Sequence, residues 1–220
     1  MPSSYLALLR IPILISTSIA VHIGQVPPNP PPAADERNRF DSHKGFDLMK
    51  LLKGGVLVAK TLNAIMDFVF LCETYIIISS LFPSFRLPPN IHALFYQSCV
   101  PNSSISPIGL TPTFLIGAAF INFGGYYRLW CYRALGRYFT FQLSIRRDHK
   151  LITNGPYAFV RHPAYLGSSF MYPGLILTLV GHGSWFSTCG VQDAMLDLGF
   201  MTLPLGKIMY FIWISLYAFA

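Results

Sequence analysis

The sequence predicts an all-α integral membrane protein with about five transmembrane helices and a polar cytosolic segment between the third and the fourth. Three observations predict it. Of 220 residues, 53% are hydrophobic and only 11% charged, against a usual charged share of about 25%; that is too little charge to clothe a soluble domain of this length. Apolar stretches recur along the chain at lengths near the ~20 residues that a helix needs to cross ~30 Å of hydrocarbon. The charges are also unevenly placed. Seven of the sixteen Lys and Arg lie between Arg128 and Arg161, with Asp148 the only acid among them, the asymmetry of a segment held on the cytosolic side next to anionic lipid. The formal charge of +7 therefore marks orientation; no nucleic-acid reading module accompanies it.

Taken in order, residues 3–23 are apolar with Arg10 and Pro12 inside. No clear small-residue cleavage site follows, so the stretch reads as an uncleaved first span. The run from Val26 to Arg39, rich in proline at its start, is a stiff extended linker, and residues 1–49 form a leading unit ahead of a membrane domain over 50–220. Leu51 to Phe82 is the second span. Its Lys60, Asn63, Asp67 and Glu73 are costly in hydrocarbon; Lys60 and Asp67, seven apart, fall on nearly one face, and these groups are expected to face protein or to snorkel. Pro83, Pro88, Pro89 and Pro101 make residues 83–110 a loop, in which Asn102-Ser103-Ser104 has the form of a glycosylation acceptor. Thr113 to Leu135 is the third span, with Gly124-Gly125 admitting close helix contact. Residues 136–162 are too polar to cross. Pro163 suits the first turn of a helix, and Ala164 to Val180 is the fourth span. After a loop over 181–190, the apolar run from Met195 to Ala220, interrupted by Pro204 and Gly206, is the fifth. Cys72, Cys99, Cys131 and Cys189 are widely spaced without a CxxC pair, which indicates neither a zinc site nor a disulfide framework.

The informative segment is residues 149–165, His-Lys-Leu-Ile-Thr-Asn-Gly-Pro-Tyr-Ala-Phe-Val-Arg-His-Pro-Ala-Tyr. Singly, its residues have ordinary readings: Gly155-Pro156-Tyr157 is a good turn, Arg161 and His162 suit interfacial charges, and Tyr157 and Tyr165 suit belt aromatics. Together they set cationic, imidazole and phenol groups beside a turn and a helix N-terminus, where a carboxylate or phosphate is received. His149 and His162 are thirteen apart with no Glu or Cys nearby, so metal-ligand spacing is missing. There is no Gly-x-Ser-x-Gly elbow and no cysteine beside the motif, and Gly155 stands alone, which excludes a dinucleotide-binding glycine loop.

The stretch from Gln142 through His149, Leu151, Gly155-Pro156-Tyr157 and Arg161-His162-Pro163-Ala164-Tyr165 resembles the cofactor-binding region of the isoprenylcysteine carboxyl methyltransferases. The resemblance is dense over 142–167 and looser from about Leu110 to Gly190. It implies S-adenosylmethionine-dependent methylation of the C-terminal carboxylate of prenylated cysteine in CaaX-processed proteins (EC 2.1.1.100), in a multi-pass protein of the endoplasmic reticulum membrane whose motif faces the cytosol. Carried over residue by residue, Gln142, His149, Lys150, Leu151, Ile152, Tyr157, His162, Pro163, Ala164 and Tyr165 line the cofactor pocket. Arg161 is expected to hold a carboxylate or lock the loop. The implied partners are prenylated protein C-termini and membrane lipids, with no metal and no nucleic acid.

The chain departs from the family pattern in one respect. The family carries an Arg and then acidic residues after its last hydrophobic hairpin, whereas this sequence has no Arg after Arg161 and no acid after Asp197. It is therefore expected to be C-terminally truncated, and no catalytic residue is identified. Two other readings stand beside the first: a related membrane methyltransferase acting on a phospholipid amine or another lipophile, and an inactive membrane homologue.

Overall fold

The computed structural model describes residues 5–31, 56–96, 108–140, 150–188, 195–197 and 202–204. Four long helices dominate them: α1 (Arg10–Gln25), entered through a 3-10 turn at Ala7–Leu9; α2 (Val56–Leu81); and, after a short α3 (Pro89–Tyr96), α4 (Pro112–Leu135) and α5 (Pro163–Val180). A four-residue α6 (Trp185–Thr188) follows. Local chemistry sets the ends. The Thr111 hydroxyl accepts from the Phe114 N–H at 3.2 Å and Pro112 opens the first turn of α4, a cap and a proline where both belong. Gly136, at φ 54, ends it, a backbone conformation that glycine adopts freely.

Among the described residues, three stretches are long and apolar enough to cross a membrane: Ala7–Gln25, Ala59–Leu81 and Pro163–Thr188. The expected spans at 3–23, 51–82 and 164–180 are thus met by apolar helices with shifted ends. The expected span at 113–135 is a helix of 24 residues, ~36 Å long, but less apolar. It is flanked by α1 and α5.

Side-chain pairs fix the directions. Arg10 lies over the Phe114 ring, Ser16 donates to Asn122 Oδ1, and Arg128 donates to the Gly24 carbonyl, so α1 and α4 run parallel. Arg10 pairs with Glu73 and Ser18 with Asp67, so α2 runs back along α1. Helices α4 and α5 are antiparallel and meet through glycines seven apart on each: Gly117 faces Gly174 and Gly124 faces Gly167. A methyl group at Gly117 would stand 2.8 Å from the Gly174 carbonyl oxygen, and one at Gly174 2.7 Å from that of Gly117. Gly125, on the neighbouring face, is pressed against Ala20 of α1. This backbone-to-backbone approach is the one small residues allow in membranes. Around it the core gathers Leu14 and Val21, Met66 and Phe70, Phe114 and Ile121, and Met171 and Leu175 from the four helices.

At the end where α1 and α4 begin, Arg10 and Glu73 form a buried ion pair, 2.9 Å between Nε and Oε2. The same guanidinium donates to the Gly109 carbonyl, and Glu73 Oε1 accepts the Trp185 N–H at 2.7 Å. Of the other costly groups of α2, Asn63 is buried, and Asp67 accepts from Ser18 at 2.8 Å and sits 3.3 Å from His22 Nε2. Lys60 is exposed. Cys72 and Cys131 are buried free thiols; Cys99, Cys189 and the Asn102 triplet lie outside the described residues.

Three expectations are corrected. The loop at 83–110 contains α3, because Pro89 opens a helix as readily as it interrupts one, and the loop at 181–190 contains α6. The segment expected as a fifth span does not begin as a helix: Met195–Asp197 and Thr202–Pro204 form an antiparallel pair of short strands, β1 and β2, with Leu196 opposite Leu203. The fold is therefore helical but not purely so over the described residues. Pro204, which lacks an N–H and disfavours helix interiors, falls at the last position of β2; residues 205–220 lie outside the description.

Candidate functional site

The segment expected to carry the site lies at the opposite end of the bundle from the Arg10–Glu73 pair, where α1 and α4 end and α5 begins. Asn154 leads into a 3-10 turn over Gly155–Ala158, closed by the Tyr157 N–H donating to the Asn154 carbonyl at 3.2 Å. Gly155 has φ 58, which suits the one residue type without a Cβ, and it lies against Trp130 and Ala134 of α4. Pro156 is buried and Tyr157 half-buried; burial raises the Tyr157 phenol above its ordinary range, so it stands as a neutral hydroxyl. Beyond the turn, Val160 N donates back to the Pro156 carbonyl, Arg161 and His162 are exposed, and Pro163 starts α5.

The structure brings part of the expected set together. His162 and Tyr165 are adjacent, with ring centroids 5.9 Å apart and tilted by 45°, and the Tyr165 N–H donates to the His162 carbonyl. Pro163 is buried and Ala164 half-buried beneath them. Tyr165 is 61% exposed, so this ring pair is open to a ligand. Lys150 is exposed and Leu151 is 89% exposed, while Ile152 is half-buried. Of the three, only Ile152 is partly packed. Gln142 and His149 lie outside the described residues.

Reading the sequence for motifs missed Arg128. Its side chain is buried where three helices meet: Nε–H donates to the Gly24 carbonyl at 2.6 Å and to the Tyr132 hydroxyl at 3.0 Å, and Nη1 donates to the Ala164 carbonyl at 3.1 Å and to Ser168 Oγ. Tyr132 also donates to the Gly24 carbonyl. The signal in the sequence was an arginine one turn from Tyr132 and one turn past Gly124-Gly125, inside an otherwise apolar stretch. Its charge is costly there unless fully bonded. Asn29, just past α1, closes the same end by donating at 2.8 Å to the Gly136 and Phe139 carbonyls.

The chemistry of these groups fits a zwitterionic or cationic cofactor. The Tyr165 ring face suits a cationic group, and the start of α5, with Lys150 and Arg161 exposed in the adjoining segments, suits a carboxylate. Fold and site together define an integral membrane protein with its basic, ring-bearing surface at one end of a helix bundle.

Residues 116–201, less than half of the chain, match the model of the isoprenylcysteine carboxyl methyltransferase (ICMT) family. The match bears out the resemblance drawn from the motif, and the class it indicates is a membrane methyltransferase. It begins within α4 and takes in the 3-10 turn, α5 and α6. No curated protein and no solved structure matches the chain.

Proposed function

We propose that the chain binds S-adenosylmethionine at the 150–165 segment and methylates the C-terminal carboxylate of a prenylated cysteine at the cytosolic face of the endoplasmic reticulum membrane. The observation that carries this reading is the open His162–Tyr165 ring pair at the first turn of a membrane-spanning helix, inside the stretch that matches the family. The cofactor would be held by Tyr157, His162 and Tyr165, by the backbone around Pro163 and Ala164, and by the segment from Lys150 to Ile152, with Gln142 and His149 completing the set. Bound there, it supplies an electrophilic methyl group.

The chain's own task is then alignment and desolvation. A carboxylate is ionised at neutral pH, so its oxygen attacks without a general base, and no proton has to be moved by a side chain. What the site contributes is a fixed approach of two reactants and exclusion of water. Arg161 would hold the carboxylate or lock the turn that presents Tyr157, and the prenyl chain would remain among the apolar helices. A phospholipid amine, by contrast, needs to lose a proton before or during transfer, and the neutral Tyr157 phenol is no base for that step.

The test is transfer of labelled methyl from S-adenosylmethionine to a farnesylated cysteine analogue in membranes carrying the chain, with a phospholipid amine as competitor. Incorporation into the prenyl substrate is the expected result. Incorporation into the lipid amine alone would move the assignment to that substrate class, and cofactor binding without transfer to either would make the chain a non-catalytic homologue.

A further inference from the structure

We propose that Arg128 is a positioning residue for the cofactor site: it sets the first turn of α5, and with it the His162–Tyr165 ring pair, against the ends of α1 and α4. The inference rests on the reading of the 150–165 segment as a cofactor site. Three observations support it. Arg128 is 7% exposed, and its guanidinium spans two helices, taking the Gly24 carbonyl of α1 with Nε and the Ala164 carbonyl and Ser168 hydroxyl of α5 with Nη1. Only a planar fork reaches both sides at once; an ammonium on a lysine stem is a single point.

The fold also makes room for this side chain. A methyl group at Gly167 would lie 2.6 Å from Arg128 Cγ and 2.9 Å from the Gly124 carbonyl oxygen, so the α4–α5 crossing leaves a gap through which the arginine stem passes. Gly167 thus serves Arg128 as well as the helix crossing.

The third observation separates positioning from simple bracing. A cation at the C-terminal end of α1 is favoured by its dipole, but beside the N-terminus of α5 it adds to a positive end. A tie chosen only for stability would not place charge there. An anion received at that terminus gains from it, and the cofactor assigned to the site carries a carboxylate. Arg128 therefore acts on the ligand through the backbone it holds and the potential it raises, without touching the reacting atoms.

The experiment uses the full chain in lipid nanodiscs, reading equilibrium binding of labelled S-adenosylmethionine and thermal stability side by side. From the weight of hydrogen bonds to a charged donor, Arg128→Met is expected to raise the cofactor Kd about tenfold, and Arg128→Lys and Ser168→Ala about threefold. The Kd should stay within about twofold for Thr178→Val, which removes a hydroxyl bonded to the Gly174 carbonyl at the far end of the same helix, while Tm falls as it does for Ser168→Ala. If Arg128→Met does not fold, Ser168→Ala measured against Thr178→Val decides the matter. Lowered Tm with an unchanged Kd in the Arg128 and Ser168 variants would overturn the inference and leave Arg128 as a brace. Absence of cofactor binding by the unmodified chain would overturn the site assignment itself, and this inference with it.

Discussion

His162 and Tyr165 are three apart across the start of α5, so the first turn brings them together without any distant element. That locality is why their pairing was legible: residues read in a row become neighbours in space when the row is itself the turn and the helix start. The prediction at this scale separates ring from hydroxyl. Tyr165→Phe keeps the ring face beside His162 and removes only the phenol oxygen, and His162→Ala removes one face of the pair. Both are expected to weaken S-adenosylmethionine binding, by about threefold for the hydroxyl and about tenfold for the ring. Equilibrium binding of labelled cofactor checks this, and unchanged affinity in both variants would remove the pair from the pocket. Arg128 was not legible in the same way. It reaches Gly24 and Ala164, 104 and 36 residues away, and no local pattern encodes a partner at such separations.

Helix α4 shows how an element was half legible. Its limits were readable, because Pro112 and Gly136 punctuate an apolar run, and the Gly124-Gly125 pair flagged a close approach. What the sequence alone did not show is that the two glycines face different neighbours, Gly124 toward Gly167 of α5 and Gly125 toward Ala20 of α1. Nor did Gly117 and Gly174 stand out, since each is an isolated glycine until the antiparallel register sets them opposite. The same limit explains α3, in a stretch read as a loop, and the β1–β2 pair, in a stretch read as the start of a fifth span. The crossing predicts two glycine variants of similar stability cost that differ in their effect on the site. A methyl group at Gly124 meets backbone atoms of α5, which cannot rotate away, so Gly124→Ala is expected to destabilise by about 1–3 kcal/mol through overpacking. At Gly136, where a methyl group has nothing within 4 Å, the cost is only that of a backbone at φ 54 and ψ −126, about 1–3 kcal/mol. Thermal unfolding in detergent measures the two costs, and equilibrium binding of labelled cofactor separates the variants. The Gly124 variant should also weaken cofactor binding because it pushes α5 away from Arg128, and a Gly136 variant with the larger loss of binding would contradict this packing.

Over the whole molecule, α1 lies outside the stretch that matches the family, yet both of its ends are tied to the helices carrying the site. Its start holds Arg10 against Glu73, Gly109 and the Phe114 ring, and its end offers Gly24 to Arg128 and Tyr132. The two ties lie ~21 Å apart along α1, and they differ in kind. The Arg10–Glu73 pair is charge against charge, both side chains at most 1% exposed, and its Coulombic gain is largely offset by the cost of burying both ions. Removing one partner strands the other. Arg10→Met is therefore expected to cost about 3–5 kcal/mol by leaving Glu73 buried and unpaired, whereas Arg10→Met combined with Glu73→Gln should recover most of that loss, because the amide oxygen still accepts the Trp185 N–H without carrying charge. The measurement is Tm in nanodiscs for the two single variants and the double, with cofactor Kd taken on each. Recovery of stability in the double variant, with Kd near that of the unmodified chain in every variant that folds, would make this pair a fastening of the far end that the site does not feel. A double variant less stable than Arg10→Met alone would mean that Glu73 is held by more than its arginine and that the far end is organised around the acid.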